Sequence, residues 1–140
     1  SVFFTGCASV STHPIKLTEG VPQADLLVFR EPAFLAGGMG LYFGESDKYF
    51  FVLDNSQYYR IKINSGRHIF QAKAHASPAF DLEVDAKAES TICIKGKANP
   101  TVAGAVLIPF LGNMVSSFML EQVDCPNDDA LKAYKLKESS

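Results

Sequence analysis

Between residues 24 and 95 the apolar positions come in short runs, each closed by turn-forming residues. Asp25-Leu26-Leu27-Val28-Phe29-Arg30 stops at Glu31-Pro32, Met39-Gly40-Leu41-Tyr42-Phe43 follows Gly37-Gly38, and Tyr49–Leu53 follows the polar stretch Gly44–Lys48. Asp54-Asn55-Ser56 turns the chain into Gln57–Ile63, whose second half alternates, with Arg60 and Lys62 outward and Ile61 and Ile63 inward. Asn64-Ser65-Gly66 closes the next turn, before Arg67–Ala74; Phe80–Asp85 then alternates apolar and acidic, and Ser90–Lys95 ends the series. Successive side chains of a strand point to opposite faces, so a period of two marks a half-buried strand. Short strands at roughly ten-residue spacing predict an antiparallel sandwich or barrel.

The pattern breaks at residues 98–120, which carry no charge: Ala-Asn-Pro-Thr-Val-Ala-Gly-Ala-Val-Leu-Ile-Pro-Phe-Leu-Gly-Asn-Met-Val-Ser-Ser-Phe-Met-Leu. That length approaches the roughly 20 apolar residues of a membrane-spanning helix, but Pro100, Gly104, Pro109, Gly112 and Asn113 argue against a regular span. Two readings stay open for this insert, taken as residues 98–117. It is a short helical or irregular segment packed over the sandwich, or it exposes Val102, Val106, Leu107, Ile108, Phe110, Leu111, Met114 and Val115 to a membrane or a neighbouring subunit, as large apolar patches tend to do. A last strand, Phe118–Val123, precedes a tail with Asn127 or Asp128 as N-cap, acids first and lysines last, the charge order a helix dipole favours. Leu131, Tyr134 and Ala130 are its few apolar positions, which predicts a superficial helix.

Composition narrows the picture. At 140 residues, 47% hydrophobic, the chain suits one domain with a real core, taken as residues 23–125, followed by a C-terminal helix and tail at 126–140. Thirteen dispersed basic residues and a net charge of −2 give no electrostatic case for nucleic acid. Eleven Phe and five Tyr suit aromatic packing on pleated surfaces.

The N-terminal tract Val2-Phe3-Phe4-Thr5-Gly6-Cys7 resembles a bacterial lipobox, in which an apolar residue and two small ones precede the cysteine that is acylated; Phe4 stands where leucine is usual. On this reading residues 1–6 are the remnant of a signal peptide, Cys7 carries acyl chains such as palmitate, and residues 7–22 are a polar tether. Ala8 and Ser9 follow the cysteine, and neither is the Asp associated with inner-membrane retention, so the resemblance implies an outer-membrane anchor facing the periplasm. The alternative is that Val2-Phe3-Phe4 opens a strand and Cys7 is a free thiol. Cys93 and Cys125 are then a candidate disulfide in an oxidising compartment, or two buried thiols; if the last strand pairs beside residues 90–95, the two cysteines approach and pin the insert at its base.

Val28-Phe29-Arg30, Leu53-Asp54-Asn55, Tyr58-Tyr59-Arg60-Ile61 and Gly66-Arg67-His68-Ile69 follow one another in an order that resembles bacterial lipoproteins carrying the domain of unknown function number 2846. The resemblance covers about half the chain, with Ser65-Gly66 where Pro-Gly is usual and a longer insert after residue 95. It implies an immunoglobulin-like or transthyretin-like sandwich and brings no catalytic residues with it. The fold class expected is therefore mainly β: an antiparallel immunoglobulin-like sandwich with a short apolar insert and a short C-terminal helix.

Candidate chemistry adds little. His13, His68 and His75 lack the spacing of a metal site, since a regular strand would point His68 and His75 to opposite faces. No serine sits in a nucleophile elbow, Gly37-Gly38-Met39-Gly40 lacks the Lys-Ser or Lys-Thr of a phosphate cradle, and Asp81, Glu83 and Asp85 read as a solvated row. The expectation is a non-enzymatic envelope lipoprotein without cofactor or metal. It would bind membrane lipid through Cys7 and protein partners through the sandwich, as an assembly subunit of an outer-membrane complex such as a secretion apparatus, with oligomerisation open. The alternative is a module for a small ligand or cell-wall glycan, using Tyr42, Tyr58 or Tyr59.

Overall fold

The computed structural model describes residues 11–32, 39–75, 77–99 and 116–137. Nine strands and one helical turn follow one another in these residues: β1 (Gln23–Arg30), β2 (Leu41–Glu45), β3 (Lys48–Leu53), β4 (Gln57–Asn64), β5 (Gly66–Lys73), β6 (Phe80–Ala86), β7 (Thr91–Ala98), β8 (Phe118–Val123), α1 (Asp128–Leu131) and β9 (Lys135–Leu136). They form a β-sandwich of a five-stranded sheet, β8-β7-β1-β4-β9, and a four-stranded sheet, β3-β2-β5-β6. The predicted strands are all present, within a few residues at their ends. β2 starts two residues later than its apolar run because Met39 and Gly40 lie outside the ladder, and β7 runs on to Ala98 because β8 pairs with it that far.

The five-stranded sheet is mixed rather than purely antiparallel. β1 lies parallel to β7 and β4 parallel to β9, while the other neighbours are antiparallel. The four-stranded sheet is antiparallel throughout. β1 is central, with Leu26 and Val28 facing the other sheet and Leu27 and Phe29 buried on the outer face. A strand covered on both faces reads as a continuous apolar run, which is what Leu26–Phe29 is.

The inner faces meet through Leu26, Val28, Phe43, Phe51, Phe70, Val84, Ile94 and Phe118, all buried. Phe43 stacks on Phe51 at 5.2 Å between ring centroids and leans on Phe70 at 5.1 Å. Each such side chain contributes roughly 1.5–3 kcal/mol on burial. The β2–β3 hairpin turns through Ser46 and Asp47, both with positive φ, as a two-residue turn between twisted strands requires. A bulge precedes the turn, at Phe43/Gly44. There Gly44 passes so close to β3 that a Cβ would run into the Lys48 carbonyl oxygen.

The C-terminal helix is not superficial. It is a single turn, capped by Asn127, whose Oδ1 accepts from the Ala130 amide at 2.8 Å. Leu131 is only 6% exposed and packs with Leu27 and Cys93. Tyr134 sets its edge on Phe29 at 5.4 Å, and β9 hydrogen-bonds to β4. The tail has few apolar residues, but Leu131 and Tyr134 land on the outer face of β1, while Ala130 and Leu136 stay exposed.

Candidate functional site

Two places draw the sequence-predicted residues together. The first is the stem of the uncharged insert. β7 and β8 stay paired up to Ala98↔Phe118. Beyond that pair Asn99 closes the ribbon, its amide donating to the Ser117 carbonyl at 2.9 Å and its side chain to the Ser116 carbonyl at 2.8 Å. At the opposite end Cys93 and Cys125 are joined by a disulfide, with Cα atoms 5.2 Å apart. The pairing of Cys93 opposite Val123 brings them together, as expected if the last strand lay beside β7. Cys7, Val102, Val106, Leu107, Ile108, Phe110, Leu111, Met114 and Val115 lie outside the described residues.

Arg30 holds the root of this stem. It is 1% exposed, its guanidinium sits 4.7 Å over the Phe118 ring, and it donates to the carbonyl oxygens of Met39 and Leu53. Burial pulls the Arg30 pKa below its ordinary value, and the nearby Asp54 carboxylate works against that shift. The Val28-x-Arg30 and Leu53-Asp54-Asn55 segments, far apart in sequence, thus meet through one side chain. In the sequence Arg30 is a motif position without a role, and its one signal is a charge ending an otherwise apolar run.

The second place is the seam between the sheets on the β3–β4 side. Residues 12–18, expected to belong to a tether, lie along it. Thr12 pairs with Tyr49 as a parallel bridge, the His13 amide donates to the Tyr49 carbonyl at 2.8 Å, and Ile15 packs against the core. Thr18 and Asn64 exchange two hydrogen bonds, at 2.9 and 3.1 Å. Hollows of about 430, 290 and 330 Å³ flank this arm, lined by Phe50, Phe51, Tyr59 and Ile61 and by the lysines Lys16, Lys48, Lys62 and Lys137. Among the described lining residues Glu45 is the one carboxylate, and it is engaged by His68. The Ser9–Glu19 stretch reads as polar by composition, and within residues 12–18 Ile15 and Leu17 are the apolar positions that signal docking.

The histidines do not converge. His68 Nδ1 lies 2.9 Å from the Glu45 carboxylate and Nε2 lies 2.7 Å from the Asn64 carbonyl, with the ring stacked on Phe70. Both ring nitrogens lie against oxygen atoms, which fixes the ring between β2 and the β4–β5 turn. His13 lies at the seam and His75 beyond the end of β5. Among the described residues no three His, Cys, Asp or Glu side chains are grouped to hold a metal ion.

Tyr42, Tyr58 and Tyr59 also lie apart. Tyr42 meets Tyr49 edge-on at 6.3 Å, Tyr58 packs against the C-terminal cover, and Tyr59 turns inward to Phe51 at 5.0 Å. Asp81, Glu83 and Asp85 are exposed along β6, with Gln71 donating to Asp81 at 3.1 Å and Arg67 Nε to Glu83 at 2.6 Å. Burial pushes the Tyr49 phenol above its ordinary pKa, with Asp47 and Asp81 adding to the shift. Burial does the same at Tyr134, where Glu31 adds and Lys95 opposes.

The chain matches no protein-family model and no curated protein. No helix among the described residues is long and apolar enough to cross a membrane.

Proposed function

We propose that this chain is a non-enzymatic lipoprotein of the bacterial envelope, anchored in the outer membrane through acylated Cys7 and facing the periplasm. Its sandwich serves as an interaction subunit of an outer-membrane-associated assembly such as a secretion apparatus. The observation that supports this reading is the stem. A disulfide at one end of the β7–β8 ribbon, and Arg30 with Asn99 at the other, hold the roots of an uncharged segment in register. A rigid base is what a recognition segment needs if its binding energy is not to be spent on ordering. Aliphatic and aromatic residues without charges are the composition of a buried interface centre.

The test is cross-linking in intact envelopes followed by intact-mass analysis. The full chain is expected to carry acyl chains on Cys7 and to enter cross-linked complexes that vanish when residues 101–115 are replaced by a short Gly-Ser link. Complexes that survive the replacement would overturn the assembly role, and an unmodified Cys7 would remove the anchor.

A second reading, a module for a small ligand or glycan, is favoured by the hollow of about 430 Å³ beside Tyr59 and Phe50. Chemical-shift changes confined to these residues on titration with cell-wall oligosaccharides would support it.

A further inference from the structure

We propose that the β3–β4 seam, with its docked arm, is the face that meets an anionic phospholipid surface, so that the domain lies against the membrane instead of hanging from a free tether. This rests on the reading of Cys7 as the acylated residue. The reach of the chain between Cys7 and the domain sets which face the anchor meets. An extended chain covers at most about 3.6 Å per residue, so a tether free from Cys7 to the start of β1 would span on the order of 50 Å. A domain of this size has a radius of gyration of about 14 Å. On so long a tether it could present any side.

The docked arm removes that freedom. With His13 hydrogen-bonded to Tyr49 and Ile15 packed on the core, only the chain from Cys7 to Thr12 is left, at most about 18 Å. That is close to one domain radius, and it starts from the seam. A short link rooted at the seam favours the seam over β6 as the face nearest the anchor.

The chemistry of the seam agrees with that orientation. Lys16, Lys48, Lys62 and Lys137 surround the arm; of these Lys62 is paired with Asp25, and the lining carboxylate Glu45 is engaged by His68. Leu17, 42% exposed, adds an apolar side chain beside Phe50. Lysines around a small apolar patch fit anionic headgroups over an acyl boundary. The opposite edge presents Asp81, Glu83 and Asp85, of which Glu83 is paired with Arg67, so the carboxylates of Asp81 and Asp85 are what such a surface would repel.

The chain contains no Trp, so one introduced Trp is an unambiguous reporter. The full chain, carrying either Phe50→Trp in the seam or Glu83→Trp on β6, is coupled through Cys7 to a maleimide lipid. The vesicles are phosphatidylethanolamine and phosphatidylglycerol with a headgroup spin label. Chemical coupling fixes the anchor whether or not a cell acylates it, while the intact mass of native protein tests acylation separately. Emission from Phe50→Trp is expected to be quenched several-fold more than from Glu83→Trp, with Leu17→Trp, 42% exposed beside Phe50, behaving like Phe50→Trp. His13→Pro, which removes the donor to Tyr49, is expected to abolish the difference. Equal quenching at the two sides, stronger quenching at Glu83→Trp, or a difference that persists in His13→Pro would each overturn the proposal.

Discussion

Arg30 donates a hydrogen bond of 2.8 Å from its guanidinium to the carbonyl oxygen of Leu53, 23 positions away in sequence. That bond ties the last residue of β1, in one sheet, to the last residue of β3, in the other. With Phe118 under the same guanidinium, three strand ends share one buried cation.

Replacing Arg30 by Met should therefore cost more than its volume suggests. The Leu53 and Met39 carbonyls lose their donor and Phe118 loses its cation, for a total of about 3 kcal/mol. Urea unfolding of the two proteins measures it. A loss under about 1 kcal/mol would mean that water replaces the guanidinium without penalty.

The Cys93–Cys125 bridge closes a loop of 32 residues. Chain-entropy reasoning assigns such a loop about 4 kcal/mol. Reduction, or the double change Cys93→Ala with Cys125→Ala, should lower the urea midpoint accordingly. Cys125 starts the segment that covers Leu27 and Phe29, so loosening should appear locally too. The amides of Lys135 and Lys137, bonded to the Ser56 and Tyr58 carbonyls, should exchange faster with deuterium than those of β1.

Gly44→Ala should destabilise by about 2–3 kcal/mol, because the new methyl must displace the Lys48 backbone in the β2–β3 bulge. Gly66→Ala meets no neighbour, but its φ of 121° makes any side chain strained there too. Thermal unfolding of both variants separates the steric cost from the conformational one.

Stability should fall on the alkaline side. Tyr49 and Tyr134 both have phenols raised above the usual value, chiefly by burial. Above about pH 10 the unfolded chain releases these protons while the folded one retains them. The unfolded state then binds fewer protons, so the contribution present below that pH is lost as pH rises through the folded pKa. Melting temperature against pH should show the decline, and Tyr49→Phe with Tyr134→Phe should flatten it. An unchanged slope in the double variant would place the alkaline transition elsewhere.

The strand series was legible because it depends on neighbours in sequence. Ile61 and Ile63 alternate with Arg60 and Lys62, and Asp54–Ser56 turns the chain, whatever the rest does. The disulfide was legible one step further on, as a consequence of β8 pairing beside Cys93. The helix at 127–131 was legible by its Asn cap but not by its burial, because Leu131 needs Leu27 beneath it. The docking of residues 12–18 is hard to see in the sequence because their polar composition outweighs Ile15 and Leu17. Residues 100–115 and Cys7, which carry most of the functional reading, stay with the sequence.

By itself the sequence determined where strands and turns occur and that they build a mainly β domain, since period-two patterning and turn chemistry are local properties. Only the tertiary structure decided that β1 lies between β4 and a parallel β7. The same holds for the C-terminal cover on β1's outer face, for Arg30 joining three strand ends, and for the arm filling the β3–β4 seam. In each case the partner surface is assembled from segments distant in sequence and exists only once the two sheets have packed.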